Sequence, residues 1–158
     1  MLSGGKPASR VAFARTLADT GAVHAAIDIS DGLAADLAHV AEASGVGAVL
    51  EPARWPDDPA MWEAARQLSA WAGQERGVLP AAERGLLDHL VTGPSDDYEL
   101  LLAVDPARFE AAAAHAAEAG VTFTAIGRFT AEPGLRFTSG GVTAPWSGRG
   151  WDHFASSE

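Results

Sequence analysis

The stretch richest in chemistry runs from Ala25 to Gly45, AAIDISDGLAADLAHVAEASG. Ala25-Ala26-Ile27-Asp28-Ile29 is a short apolar run with β-branched residues, and Ser30-Asp31-Gly32 has turn chemistry. Leu33, Leu37 and Val40 follow at i, i+4 and i+7, so they share one helix face. Gly45 supplies a C′ stop. The spacing predicts a strand, a tight turn and a helix. Asp28 then lies near the C-terminal end of the strand with Ser30 on the same face, and Asp31 falls at the expected helix N-cap. Strand C-termini and helix N-termini are where α/β proteins bind phosphate-bearing ligands. A carboxylate there repels a bare phosphate, so it needs either a capping role or a metal ion in between. In the purely structural alternative Asp31 caps the helix, which contributes about 1 kcal/mol, and Asp28 bonds a neighbouring turn.

A second informative stretch is Thr92 to Val104, TGPSDDYELLLAV. A Gly93-Pro94-Ser95 turn leads into an expected strand on which Asp97 and Glu99 share a face. Those carboxylates suit a metal, a ligand amine, or simply the solvated end of an edge strand. From Leu100 the run is apolar on both faces, which predicts a strand buried inside the domain. The tail holds Trp151, Asp152, His153 and Phe154, which suit either a pocket wall or a staple onto the core. His39, His89 and His115 sit in expected helices without a second ligand at i+4, and His24 and His153 stand alone. Histidine-based metal binding is therefore not expected. With no G-x-S-x-G elbow and no cysteine, catalysis here would rest on carboxylates, a divalent metal and positioning, as in phosphoryl transfer.

These residues need a frame. The 158 residues suffice for one domain with its own core. Lys and Arg number 11 against 21 Asp and Glu, a net charge of −10, which argues against nucleic acid or an anionic membrane as partner. Phosphorylated ligands remain possible where divalent cations supply positive charge. The absence of cysteine suits the cytoplasm, and no apolar run reaches membrane-spanning length. Residues 1–8 are expected to be a flexible leader and residues 9–158 a single domain. Gly4-Gly5-Lys6 lacks the full phosphate-loop pattern and Pro7 follows it. Helices are expected over Arg10 to Ala18, Ala60 to Ala72, Ala81 to Val91 and Pro106 to Ala119, with Gly73 to Pro80 as a connection. Strands are expected over Val46 to Leu50 and Val121 to Phe129. A hairpin is expected from Leu135-Arg136-Phe137 through Gly140-Gly141 to Val142-Thr143-Ala144. Trp55, Trp62 and Trp71 are expected mainly to pack.

Together these landmarks carry a resemblance. Ala26-Ile27-Asp28-Ile29-Ser30-Asp31-Gly32-Leu33, with Asp36-Leu37-Ala38-His39 and the Ala41 to Ala48 run, resembles the second half of bacterial thiamine-monophosphate kinases. Asp97-Tyr98-Glu99-Leu100-Leu101 resembles that family's Asp-Tyr-Glu-Leu strand, and Gly150-Trp151-Asp152-His153-Phe154 its closing motif. The resemblance implies an α+β fold of the aminoimidazole-ribonucleotide-synthetase C-terminal-domain type, an α/β/α layered domain with a mixed sheet and partly ferredoxin-like topology. It implies transfer of the ATP γ-phosphoryl group to thiamine monophosphate, with Mg2+. It places Ser30, Asp31 and Gly32 at the nucleotide phosphates, Asp31 as a metal ligand, and Asp97, Glu99 and Trp151 at the thiamine end, with no protein residue as a general base. It also implies that an N-terminal half is needed for activity, and it makes a separate N-terminal-half chain or a homodimer the expected protein partner. The chain departs from the family at Pro94-Ser95, where paired glycines are usual. Another superfamily enzyme with a different acceptor, or a non-catalytic binding or assembly module, are the alternative readings.

Overall fold

The computed structural model describes residues 11–56, 59–75, 91–93, 99–139 and 141–146. The elements are α1 (Val11–Asp19), β1 (Val23–Asp28), α2 (Leu33–Ala43), β2 (Gly47–Leu50), α3 (Pro59–Glu75), β3 (Leu100–Val104), α4 (Phe109–Glu118), β4 (Gly127–Thr130), β5 (Gly134–Ser139) and β6 (Val142–Pro145). The fold is α+β, as expected. β1 and β3 form an antiparallel pair, and a four-stranded mixed sheet has the order β4-β2-β5-β6. In that sheet β2 runs parallel to β5 and antiparallel to β4, while β5 and β6 make the expected hairpin.

Two apolar clusters hold these layers. The first joins Leu33 and Leu37 of α2 to Ala48, Leu50, Trp55 and Leu101, with Ile27, Ile29, Phe129 and Phe137 packed against it. Trp55 meets Phe137 edge-on, which makes it a packing residue. The second joins Phe13 and Leu17 of α1 to Ala112 and Ala116 of α4, with Val23, Leu102 and Val104 against it. Successive strand residues point to opposite faces, so β3 sends Leu101 to one cluster and Leu102 and Val104 to the other. That is why its run is apolar on both faces, although only Leu101 is fully buried. His115 of α4 bonds the Thr16 hydroxyl at 2.9 Å and stacks on Phe13, joining the two helices.

Two boundaries differ from expectation. α3 continues through Gly73 to Glu75, because one helical glycine costs only about 1 kcal/mol and no proline stops the chain there. The alternating run from Val121 forms a strand only at Gly127–Thr130. Its partner β2 is four residues long and ends opposite Gly127. Val121 and Phe123 pack on the helical cluster instead, so burial alone explains their alternation. β3 begins at Leu100, and the Asp97 and Tyr98 with which that strand was expected to open lie outside the described residues. The leader and most of the helix expected over Ala81 to Val91 lie outside the described residues. No described helix is long and apolar enough to cross a membrane.

β2 is buried along its whole length and leaves little room for change. A Cβ on Gly47 would meet the Glu132 carbonyl oxygen at 1.9 Å. Gly47→Ala should therefore lower stability by about 1–3 kcal/mol, and Leu50→Ala by about 2–5 kcal/mol. Chemical denaturation checks both, and the account needs Leu50→Ala to be the larger loss.

Candidate functional site

The site is built where β1 ends. Ile27 and Ile29 pack into the first cluster, so the intervening Asp28 and the following Ser30 face outward and are exposed. Asp28 pairs with Leu100, and one further bond, from the Ile29 N–H to the Glu99 carbonyl oxygen at 2.8 Å, extends the ladder. The expected shared face of Asp28 and Ser30 is thus observed, and the backbone of Glu99 lies beside the turn.

The turn departs from expectation at its cap. The α2 N-cap is Gly32, at φ 107° and ψ 148°, with no side-chain capping bond. That positive φ favours glycine and sets the chain one residue off from an Asp31 cap. The carboxylate that organises the turn comes from inside the helix. Asp36 Oδ2 accepts the Ser30 N–H at 2.9 Å and the Asp31 N–H at 3.1 Å. Asp36 is only 2% exposed. A buried carboxylate must be compensated, and each hydrogen bond to such a charge contributes about 1.5–3 kcal/mol. The sequence reasoning singled out Asp31 and gave Asp36 no role. The available signal was an acid on the apolar stripe, three residues after Leu33 and one before Leu37.

One ligand atom from each of Asp31, Asp36 and His39 lies within 4.8 Å of the others. His39 follows Asp36 by three residues, so both project from one side of α2. Comparing histidines only at i+4 missed this neighbour. The two carboxylates offer oxygen donors suited to Mg2+, whereas imidazole is more typical of transition metals. Among the six residues expected at the site, Ser30, Asp31 and Gly32 are contiguous at the turn and Glu99 is adjacent through its backbone. Asp97 and Trp151 lie outside the described residues. A mostly apolar groove of about 360 Å³, lined by Ala38, Ala41, Glu42, Gly45 and Leu135 among others, opens beside the C-terminal half of α2, away from this turn.

The chain is similar to known proteins along most of its length. It is 32% identical over 152 residues to the thiamine-monophosphate kinase of Salmonella typhimurium, covering 96% of this chain and 41% of that protein. It is 37% identical over 140 residues to the thiamine-monophosphate kinase of Caulobacter vibrioides, covering 87% of this chain and 36% of that protein. The chain therefore spans about two fifths of the length of these curated relatives. The crystal structure of thiamine-monophosphate kinase from Stenotrophomonas maltophilia superposes with a TM-score of 0.65 at 28% identity, over 84% of this chain and 36% of that one. Residues 6–140 match the family described as AIR synthase related protein, C-terminal domain, and the chain belongs to that family.

Proposed function

We propose that this chain is the C-terminal domain of an ATP-dependent thiamine-monophosphate kinase. In this reading it supplies the acceptor pocket and part of the metal–phosphate site, and it needs the part of its relatives that it does not span. The observation that carries the reading is the Ser30–Asp31–Gly32 turn. It sets Asp31 beside two further potential ligands at the C-terminal end of a strand, in a chain similar over 96% of its length to a protein of that activity.

The reaction joins an oxygen of the thiamine monophosphate phosphate to the γ-phosphorus of ATP and breaks the bond to the bridging oxygen, releasing ADP. A phosphate monoester is largely dianionic at neutral pH, so the attacking oxygen needs no protein base. Positioning and charge neutralisation supply the rate. Asp31 would hold Mg2+, which when bound offsets phosphate charge. The Ser30 hydroxyl and Gly32 would flank the nucleotide phosphates. Asp97, Glu99 and Trp151 would form the thiamine end, where an indole ring stacks on a heteroaromatic cation. A cytoplasmic location belongs to the same reading. One observation favours a second reading: Pro94-Ser95 replaces two flexible glycines before the Asp97–Glu99 segment, which suits a superfamily enzyme with a different acceptor.

Combining this chain with the N-terminal part of a relative and measuring ATP-dependent phosphorylation of thiamine monophosphate provides the test. Asp31→Asn should lower kcat by about 100-fold or more while the circular dichroism spectrum stays unchanged; a near-normal rate would remove Asp31 from the site. Trp151→Ala should weaken thiamine monophosphate binding about tenfold, the equivalent of about 1.4 kcal/mol, with little change in Tm. A large drop in Tm with unchanged binding would make Trp151 a structural staple.

A further inference from the structure

We propose that Asp36 is a positioning residue that keeps the Ser30 and Asp31 amides from binding phosphate directly and holds Asp31 in place for a cation. The proposal rests on the metal role given to Asp31 above. Free N–H groups at the start of a helix ordinarily bind anions. Here the N–H groups of Ser30 and Asp31 both donate to Asp36 Oδ2, at 2.9 and 3.1 Å. Both amides lie outside helix and strand, so no secondary structure would otherwise engage them. The carboxylate of Asp36 therefore takes up two amides of the turn that leads into the Gly32 N-cap, donors that a phosphate oxygen could otherwise have used.

Two consequences follow for ligands. A phosphate approaching this turn finds these two donors already used, with the carboxylates of Asp31 and Asp36 within 4.8 Å of each other. A divalent cation finds that same charge favourable. Asp36 also fixes the peptide from which the Asp31 side chain projects. It sits between Leu33 and Leu37 on the buried face of α2, so core packing locks it. Residues that orient a metal ligand in this way typically account for about 10–100-fold in metal affinity.

The test uses the full chain, with Mn2+ as a paramagnetic probe and free Mn2+ read by electron paramagnetic resonance. Asp36→Asn keeps the side-chain shape and removes the charge. It should weaken Mn2+ binding about 10–100-fold, whereas Asp31→Asn should abolish it. In parallel, amide exchange read by NMR should show the Ser30 and Asp31 N–H groups protected in the wild-type chain and exposed in Asp36→Ala, which leaves them no acceptor. Inorganic phosphate should leave those two wild-type resonances unmoved. If Asp31→Asn abolishes binding and Asp36→Asn leaves it unchanged, the positioning role is overturned and the Asp31 reading stands. If Asp31→Asn binds like the wild type, the Asp31 reading fails and the selectivity proposal fails with it. A wild-type chain that takes up no Mn2+ overturns both. Should Asp36→Asn not fold, rapid exchange of the two wild-type amides, or their displacement by phosphate, overturns the proposal without any variant.

Discussion

A carboxylate buried on an apolar helix face is the constraint on which the rest of this structure depends. Leu33 and Leu37 take the inner face of α2 into the core with Leu50 and Trp55, and Asp36 is carried in with them at 2% exposure. An ion so placed costs several kcal/mol unless donors meet it. The donors are the Ser30 and Asp31 amides. Core packing and the shape of the Ser30–Asp31–Gly32 turn are thus one requirement. If the stripe is buried, the turn must close on Asp36. If the turn opens, a charge is stranded inside the domain.

The sheets hold the two ends of that arrangement in place. β1 reaches the turn with its outward residues Asp28 and Ser30 at the edge of solvent, because Ile27 and Ile29 are anchored below. β3 is packed from both sides, and the bond from Ile29 to Glu99 carries its ladder to the residue before the turn. In the same core, the buried strand β2 accepts the close approach of the Glu132 and Gly134 carbonyls only because residue 47 has no side chain. Each support is a local packing requirement, yet all bear on where Asp31 comes to lie.

Much of this was legible in the residues. The i, i+4, i+7 spacing of Leu33, Leu37 and Val40 gave α2, and Gly45 ends it at φ 64° as a left-handed stop should. The β5–β6 hairpin and the double-sided apolar strand at Leu100 were equally readable. The alternation over Val121 to Phe129 misled because period-two burial also arises when a chain without a partner strand lies across a core. The turn at Ser30 and Asp31 lies where it was expected, but its organiser was not foreseen. Local capping rules pointed to Asp31, while Asp36 acts through a backward reach of five and six residues that only the folded helix makes short. The membership of His39 in the same cluster likewise depends on the three-dimensional return of the turn onto α2. The resemblance to thiamine-monophosphate kinases rested on motifs spread from Ala26 to Phe154, and the similarity over most of the chain bears it out.

In the proposed reading, this domain carries the acceptor side of a phosphoryl transfer to thiamine monophosphate. The most direct measurement is a calorimetric titration of thiamine monophosphate into the chain, with Mg2+ and a non-hydrolysable ATP analogue present, repeated with the N-terminal part of a relative added. The account predicts saturable binding with one site per chain in at least the second titration. No saturable heat in either, from a chain that is folded by circular dichroism, would contradict it.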